Sequence, residues 1–163
     1  AQLGVEQGEG QLGPDQRDVG PFTQQVGDPA DVVLVAVGED DRLDIVESVG
    51  SPALRLAWDP ANYVQVGVTP FTDGYAALRP YTVYVQIKDA LLATGDVVPA
   101  GEGDGQVRET VRALAADGFD GFFSMEPHLG TYNEFGALSG AANFTRATRA
   151  FTAILDSEGI QYS

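Results

Sequence analysis

Cysteine is absent from the 163-residue chain, which excludes disulfides, thiolate zinc sites, iron–sulfur ligation and a cysteine nucleophile. Lysine is nearly absent. Lys88 is the only one, and nine Lys+Arg stand against twenty-four Asp+Glu for a formal net charge of −15. Affinity for nucleic acid or an anionic lipid surface rests on basic contacts to phosphate, so this field argues against both as partners. No apolar run approaches the roughly 18–20 residues needed to cross a bilayer. Ala1 to Gly10 carries no basic-then-apolar signal segment, and a cytoplasmic chain, or a processed or cloned fragment of one, is the expectation. His128 is the sole histidine, too few for a trinuclear zinc nuclease. No Gly-x-Ser-x-Gly elbow and no Gly-Lys-Ser/Thr phosphate loop occurs. Asn143-Phe-Thr145 matches a glycosylation sequon, but it falls within a predicted helix and reads as chance.

What is present is ordinary for a folded domain: 44% apolar, 9% aromatic and 20% charged residues. The chain divides unevenly. Ala1 to Ala30 holds six Gly, six Gln, three Pro and five acids, with Phe22 the only aromatic. Low hydrophobicity with net negative charge predicts a disordered or loosely packed arm. From residue 31 to 163 strand and helix signals alternate. Asp31 to Val37 is a β-rich run, and Glu39 to Val49 reads as a helix stopped by Gly50. Leu54 to Trp58 is a second strand, Phe71 to Leu78 a short helix, and Thr82 to Ile87 a third strand. A helix with Val107, Val111 and Leu114 on one face follows, with Asp104 as N-cap and Asp117-Gly118 as terminator. Gly121 to Met125 is the fourth strand. A last helix, Gly140 to Ser157, is expected to bury Phe144, Ala147, Phe151, Ile154 and Leu155. This alternation predicts an α/β fold with about four βα units and a parallel sheet.

Side chains alternate across a strand. Leu54, Leu56 and Trp58 share one face while Arg55, Ala57 and Asp59 share the other. Val83, Val85 and Ile87 oppose Tyr84, Gln86 and Lys88. Phe123 and Met125 oppose Phe122, Ser124 and Glu126. Each strand therefore has an apolar face for helices and an opposite face that turns polar at its C-terminal end, where (β/α) barrels and open α/β sheets place ligands. Two readings fit. Polar residues end strands because strands end at the surface, or Asp59 and Glu126 share a divalent cation with Gln86 as a neutral oxygen ligand. His128, two residues beyond Glu126, orients that carboxylate, touches substrate, or is a loop histidine. Gly101-Glu-Gly-Asp-Gly105 ahead of a helix suits an anion cradle, but it is not the dinucleotide fingerprint and Glu102 and Asp104 would repel phosphate. A tight turn is the better reading.

Four segments carry a family resemblance: Leu56-Ala-Trp-Asp-Pro-Ala-Asn62, Val85-Gln-Ile-Lys-Asp89, Val98-Pro-Ala-Gly-Glu-Gly-Asp104 and Gly118-Phe-Asp-Gly-Phe-Phe-Ser-Met-Glu-Pro-His128. In order and spacing, from about Asp31 to Leu129, they resemble the closing half of the xylose-isomerase-like TIM-barrel family, the sugar-phosphate isomerases/epimerases that include ketose 3-epimerases. The resemblance implies a half (β/α) barrel and a divalent metal, Mg or Mn, at the strand ends. It implies Asp59 and Glu126 as metal ligands, with Gln86 where a His is usual, and Glu126 as the proton-transfer group. It implies Asn62, Lys88 and His128 as contacts to a small sugar or sugar phosphate. The first carboxylate of the family pattern has no clear counterpart after Val32 to Val37, Glu39 being the nearest. The function implied is metal-assisted proton transfer beside a carbonyl, in carbohydrate metabolism.

A complete barrel takes about 250 residues, and Asp31 onward offers about 130. Four units alone leave two sheet edges and an inner face uncovered, which favours self-association. The missing half lies outside this chain, two chains pair as a homodimer that completes the barrel, or the N-terminal arm covers an edge. A non-catalytic half-barrel that dimerises as an assembly module is therefore the alternative to an isomerase/epimerase subunit.

Overall fold

The structure, a computed structural model, describes residues 32–34, 40–130 and 140–162. The arm expected over Ala1 to Ala30 lies outside the described residues, as do Val35 to Glu39.

Four parallel strands form one sheet in the order β1 (Val32–Leu34), β2 (Leu54–Trp58), β3 (Thr82–Ile87) and β6 (Phe122–Met125). Helix α1 (Asp40–Val49) joins β1 to β2, and three short α-helices, α2 (Pro60–Val64), α3 (Pro70–Asp73) and α4 (Tyr75–Leu78), with a 3-10 turn at Arg79–Tyr81, join β2 to β3. A two-stranded antiparallel ribbon, β4 (Asp89–Ala90) with β5 (Val97–Val98), and α5 (Val107–Ala116) lie between β3 and β6. Helix α6 (Ala141–Glu158) follows. The sheet is open, and among the described strands β1 and β6 are its edges.

The alternation read from the strands is realised except at Val83. Leu56, Trp58, Val85 and Ile87 enter one core with Val46 of α1, Tyr63 of α2, Leu78 of α4, Val107, Val111 and Leu114 of α5, and Phe151, Ile154 and Leu155 of α6. Burying a side chain of this size contributes about 1.5–3 kcal/mol. Trp58 packs on Tyr63 and Tyr75, at ring-centroid distances of 4.7 and 5.7 Å. The β2–β3 register slips between Leu56 and Ala57, so Val83 stands at the irregularity and is only half-buried. Both expected helix stops are glycines in the left-handed region, Gly50 at φ 58° and Gly118 at φ 70°, where a Cβ would be strained.

Four details differ from expectation. Helix α2 falls where the sequence showed no helix. At five residues it is too short for a period, and it exists because Asp59 Oδ1 accepts N–H bonds from Ala61 (3.1 Å) and Asn62 (3.3 Å) ahead of Pro60 at the first helical position. The helix expected over Phe71 to Leu78 begins at Pro70 and breaks at Gly74, giving α3 and α4. Asp104 does not cap α5. Gln106 occupies that position in a left-handed conformation (φ 51°), and Asp104 Oδ2 instead accepts the Leu92 N–H at 2.7 Å. Phe144 is 50% exposed, because it precedes by one turn the stripe from Ala147 onward that meets β6 and α5.

Candidate functional site

The parallel register aligns the C-terminal ends of β2, β3 and β6. Trp58 pairs with Val85, and Ile87 with Met125, so Asp59, Lys88 and Glu126 each follow the last residue of a strand. Glu126 N–H donates to Ile87 O at 3.1 Å, extending the ladder by one residue and fixing that carboxylate beside Lys88.

The three side chains converge. Lys88 Nζ lies 3.0 Å from Asp59 Oδ2 and 3.0 Å from Glu126 Oε2. The contact to Glu126 is a hydrogen bond, whereas that to Asp59 is an ion pair off the hydrogen-bond direction. Asp59 and Lys88 are buried, while the Glu126 side chain keeps 24% of its surface in solvent. On the open side, His128 Nδ1 lies 3.4 Å from Glu126 Oε1, and the His128 ring is 55% exposed. Asn62 sits in the first turn of α2, half-buried, with its N–H on Asp59 Oδ1. Gln86 is half-buried on β3 opposite Ser124. Asp59, Lys88, Glu126 and His128 are thus in direct contact, Asn62 adjoins them through its backbone, and Gln86 lies one layer down the sheet.

Burial and neighbouring charge compete at the two buried groups. Desolvation pushes the Asp59 carboxyl up to about 6, against the pull of Lys88 and with the help of the neighbouring Glu126. For Lys88, burial disfavours the charge, but Asp59 and Glu126 together outweigh it and raise the pKa above the ordinary lysine value. Lys88 is therefore an ammonium at neutral pH, unsuited to forming a Schiff base.

A residue that sequence reasoning left without a role supports the site from behind. Asp89, fully buried, accepts N–H bonds from Ala90 (2.8 Å), Gly101 (2.9 Å), Gly103 (3.1 Å) and Gly105 (2.7 Å). The glycine loop thus cradles an anion after all, and the anion is the chain's own carboxylate. Glycine at every second position from 101 to 105 was the available signal, since it lets successive N–H groups approach one point.

The donor set at the strand mouth does not suit a divalent metal. Among the described residues no three His, Cys, Asp or Glu side chains gather as a metal-holding group. Asp59 Oδ1 is committed to the N–H groups of α2, and the point that Asp59 Oδ2 and Glu126 Oε2 both face is held by an ammonium. As arranged, these residues do not fit a divalent ion. Glu39 lies outside the described residues.

Residues 35–148 match the family model described as xylose isomerase-like TIM barrel. The chain belongs to that family. Two solved structures share the fold of this xylose isomerase-like chain. A xylose isomerase domain protein from Planctomyces limnophilus superposes with a TM-score of 0.62 at 20% identity, over 79% of this chain and 47% of the other. A D-tagatose 3-epimerase-like protein gives 0.55 at 14% identity, over 79% and 46%. The chain therefore spans a little under half the length of either. No curated protein matches it. Among the described residues no helix is long and apolar enough to cross a membrane.

Proposed function

We propose that this xylose isomerase-like chain forms part of a sugar or sugar-phosphate isomerase/epimerase, with Glu126 as the group that moves a proton beside the substrate carbonyl. The observation that carries the reading is the difference between the two carboxylates. Glu126 is partly open at the strand mouth, while Asp59 is sealed behind it. A general base must reach its proton, and only Glu126 does. Asp59 then acts as a positioning residue, and Asn62 and His128 border the place where sugar hydroxyls would bind. Incubating the chain with a panel of ketoses, aldoses and their phosphates in D2O tests this. Deuterium should enter at the carbon beside the carbonyl, and Glu126→Gln should abolish entry while leaving the circular dichroism unchanged. No incorporation with any sugar sinks the reading.

A second reading rests on the open sheet. β1 and β6 have free edges among the described strands, and Phe122 on the helix-averted face is 39% exposed. A non-catalytic half-barrel that pairs with its own copy would cover both. Sedimentation should then show a concentration-dependent dimer that Phe122→Glu weakens. A monomer at all concentrations removes it.

A further inference from the structure

We propose that Lys88, rather than a divalent metal, is the resident cation of this site: its ammonium ties Asp59 to Glu126 and balances the charge that develops on the substrate oxygen. This deepens the isomerase/epimerase reading and rests on it.

The oxygens of the two carboxylates are already assigned. Asp59 Oδ1 takes the Ala61 and Asn62 N–H groups, Asp59 Oδ2 and Glu126 Oε2 face Lys88 Nζ, and Glu126 Oε1 faces His128 Nδ1. A metal bound between the carboxylates would lie a few ångströms from an ammonium that is 9% exposed, a repulsion little relieved by solvent. Position 86, on the same strand face as Lys88, offers an amide, a poorer ligand than imidazole for transition metals. An ammonium has three donors. One is spent on Glu126 Oε2, and the ion pair to Asp59 Oδ2 lies off the hydrogen-bond direction, which leaves donor capacity for a substrate oxygen.

The chemistry balances with the groups present. Glu126 removes the proton from the carbon beside the carbonyl. That C–H bond breaks, an O–H bond forms on the carboxyl, and the electron pair moves to the carbonyl oxygen as an enediolate. The Lys88 ammonium stabilises this oxyanion without giving up its proton. Glu126 then returns its proton to the former carbonyl carbon while the hydroxyl proton passes between the two substrate oxygens. No oxidant, reductant or further co-reactant is required.

Because Lys88 is the only lysine, labelling with [15N]lysine yields a single side-chain ammonium resonance. Titration of the wild-type chain with Mn²⁺ should give no saturable 1:1 site by calorimetry and no selective broadening of that resonance at one equivalent. Lys88→Met should create a Mn²⁺ site that Asp59→Asn then removes, whereas Lys88→Arg, which keeps the charge, should not. Stoichiometric Mn²⁺ binding by the wild type, lost in Asp59→Asn and accompanied by loss of the Lys88 signal, overturns the proposal even if Lys88→Met does not fold. Exchange from D2O separates the role of the ammonium from the proton transfer at Glu126. Exchange that persists in EDTA and falls about 100-fold or more in Lys88→Met agrees with the ammonium role. Exchange abolished by EDTA and restored by Mn²⁺ overturns that role and leaves the proposed function standing. Absence of exchange removes the function and with it the part of Lys88 in the reaction, while the Mn²⁺ titration decides the cation assignment by itself.

Discussion

Gly103 approaches Asp89 so closely that a Cβ placed on it would stand 2.5 Å from Asp89 Oδ1 and 2.5 Å from the Ala90 carbonyl oxygen. Neither neighbour can yield easily, since one is buried in its N–H cradle and the other is backbone. Gly103→Ala should therefore destabilise the chain by about 1–3 kcal/mol through overpacking. A urea midpoint equal to wild type would show that the loop relaxes freely.

Asp89→Asn keeps the volume but turns one oxygen into an NH2 group that meets backbone donors. Three loop N–H groups and that of Ala90 then compete for a single acceptor. The expected cost is about 3 kcal/mol, from lost charge-assisted bonds and buried unsatisfied donors. Hydrogen exchange at Gly101, Gly103 and Gly105 should quicken in the variant, and unchanged protection there would contradict the cradle.

Lys88→Met leaves two carboxylates facing one another, one of them buried. Removing one partner of a buried pair typically costs about 3–5 kcal/mol. The loss should be largest above pH 7 and smaller near pH 5, where Asp59 can take up a proton. Chemical denaturation at the two pH values checks both the size and the direction.

Two acids should leave opposite marks on stability as a function of pH. The Asp59 value is raised, from 3.8 to about 6, so the folded chain binds the extra proton. Its contribution is fully present below 3.8 and is lost as pH rises through about 6. Glu158 is lowered, from 4.5 to about 2, by hydrogen bonds from Arg112 and Arg108. Its contribution is present above 4.5 and is lost as pH falls toward 2. Glu158→Gln should flatten the thermal midpoint on the acid limb alone. An unchanged acid limb would mean that these exposed pairs are screened away.

The sheet and the gathering of acids at its mouth were legible because both follow from period-two alternation along Leu54 to Asp59, Thr82 to Lys88 and Phe122 to Glu126. That Asp59 and Glu126 reach the same mouth, one on either side of Lys88, needed only that these strands be parallel. What lies between them was not legible. Lys88 read as a substrate contact, since nothing along the chain says that an ammonium two residues past Gln86 fills the gap between carboxylates 29 and 38 positions away. Asp89 was silent for a related reason. Its partners are backbone N–H groups, one on the next residue and three 12 to 16 residues distant, and backbone has no sequence signature beyond the glycines that make room. Gly74 and Phe144 deceived because helical spacing reports a period and not where a helix breaks or leaves the sheet.

Asp59 divides its two oxygens between scaffolding and chemistry, one opening α2 and the other facing the ammonium. A variant that removes both oxygens, such as Asp59→Ala, would therefore disturb the backbone of the following turn in the same stroke as the charge of the mouth, whereas Asp59→Asn keeps an oxygen to open α2. Loss of turnover in Asp59→Ala would be ambiguous by construction, so the informative dissection begins at Glu126 and Lys88.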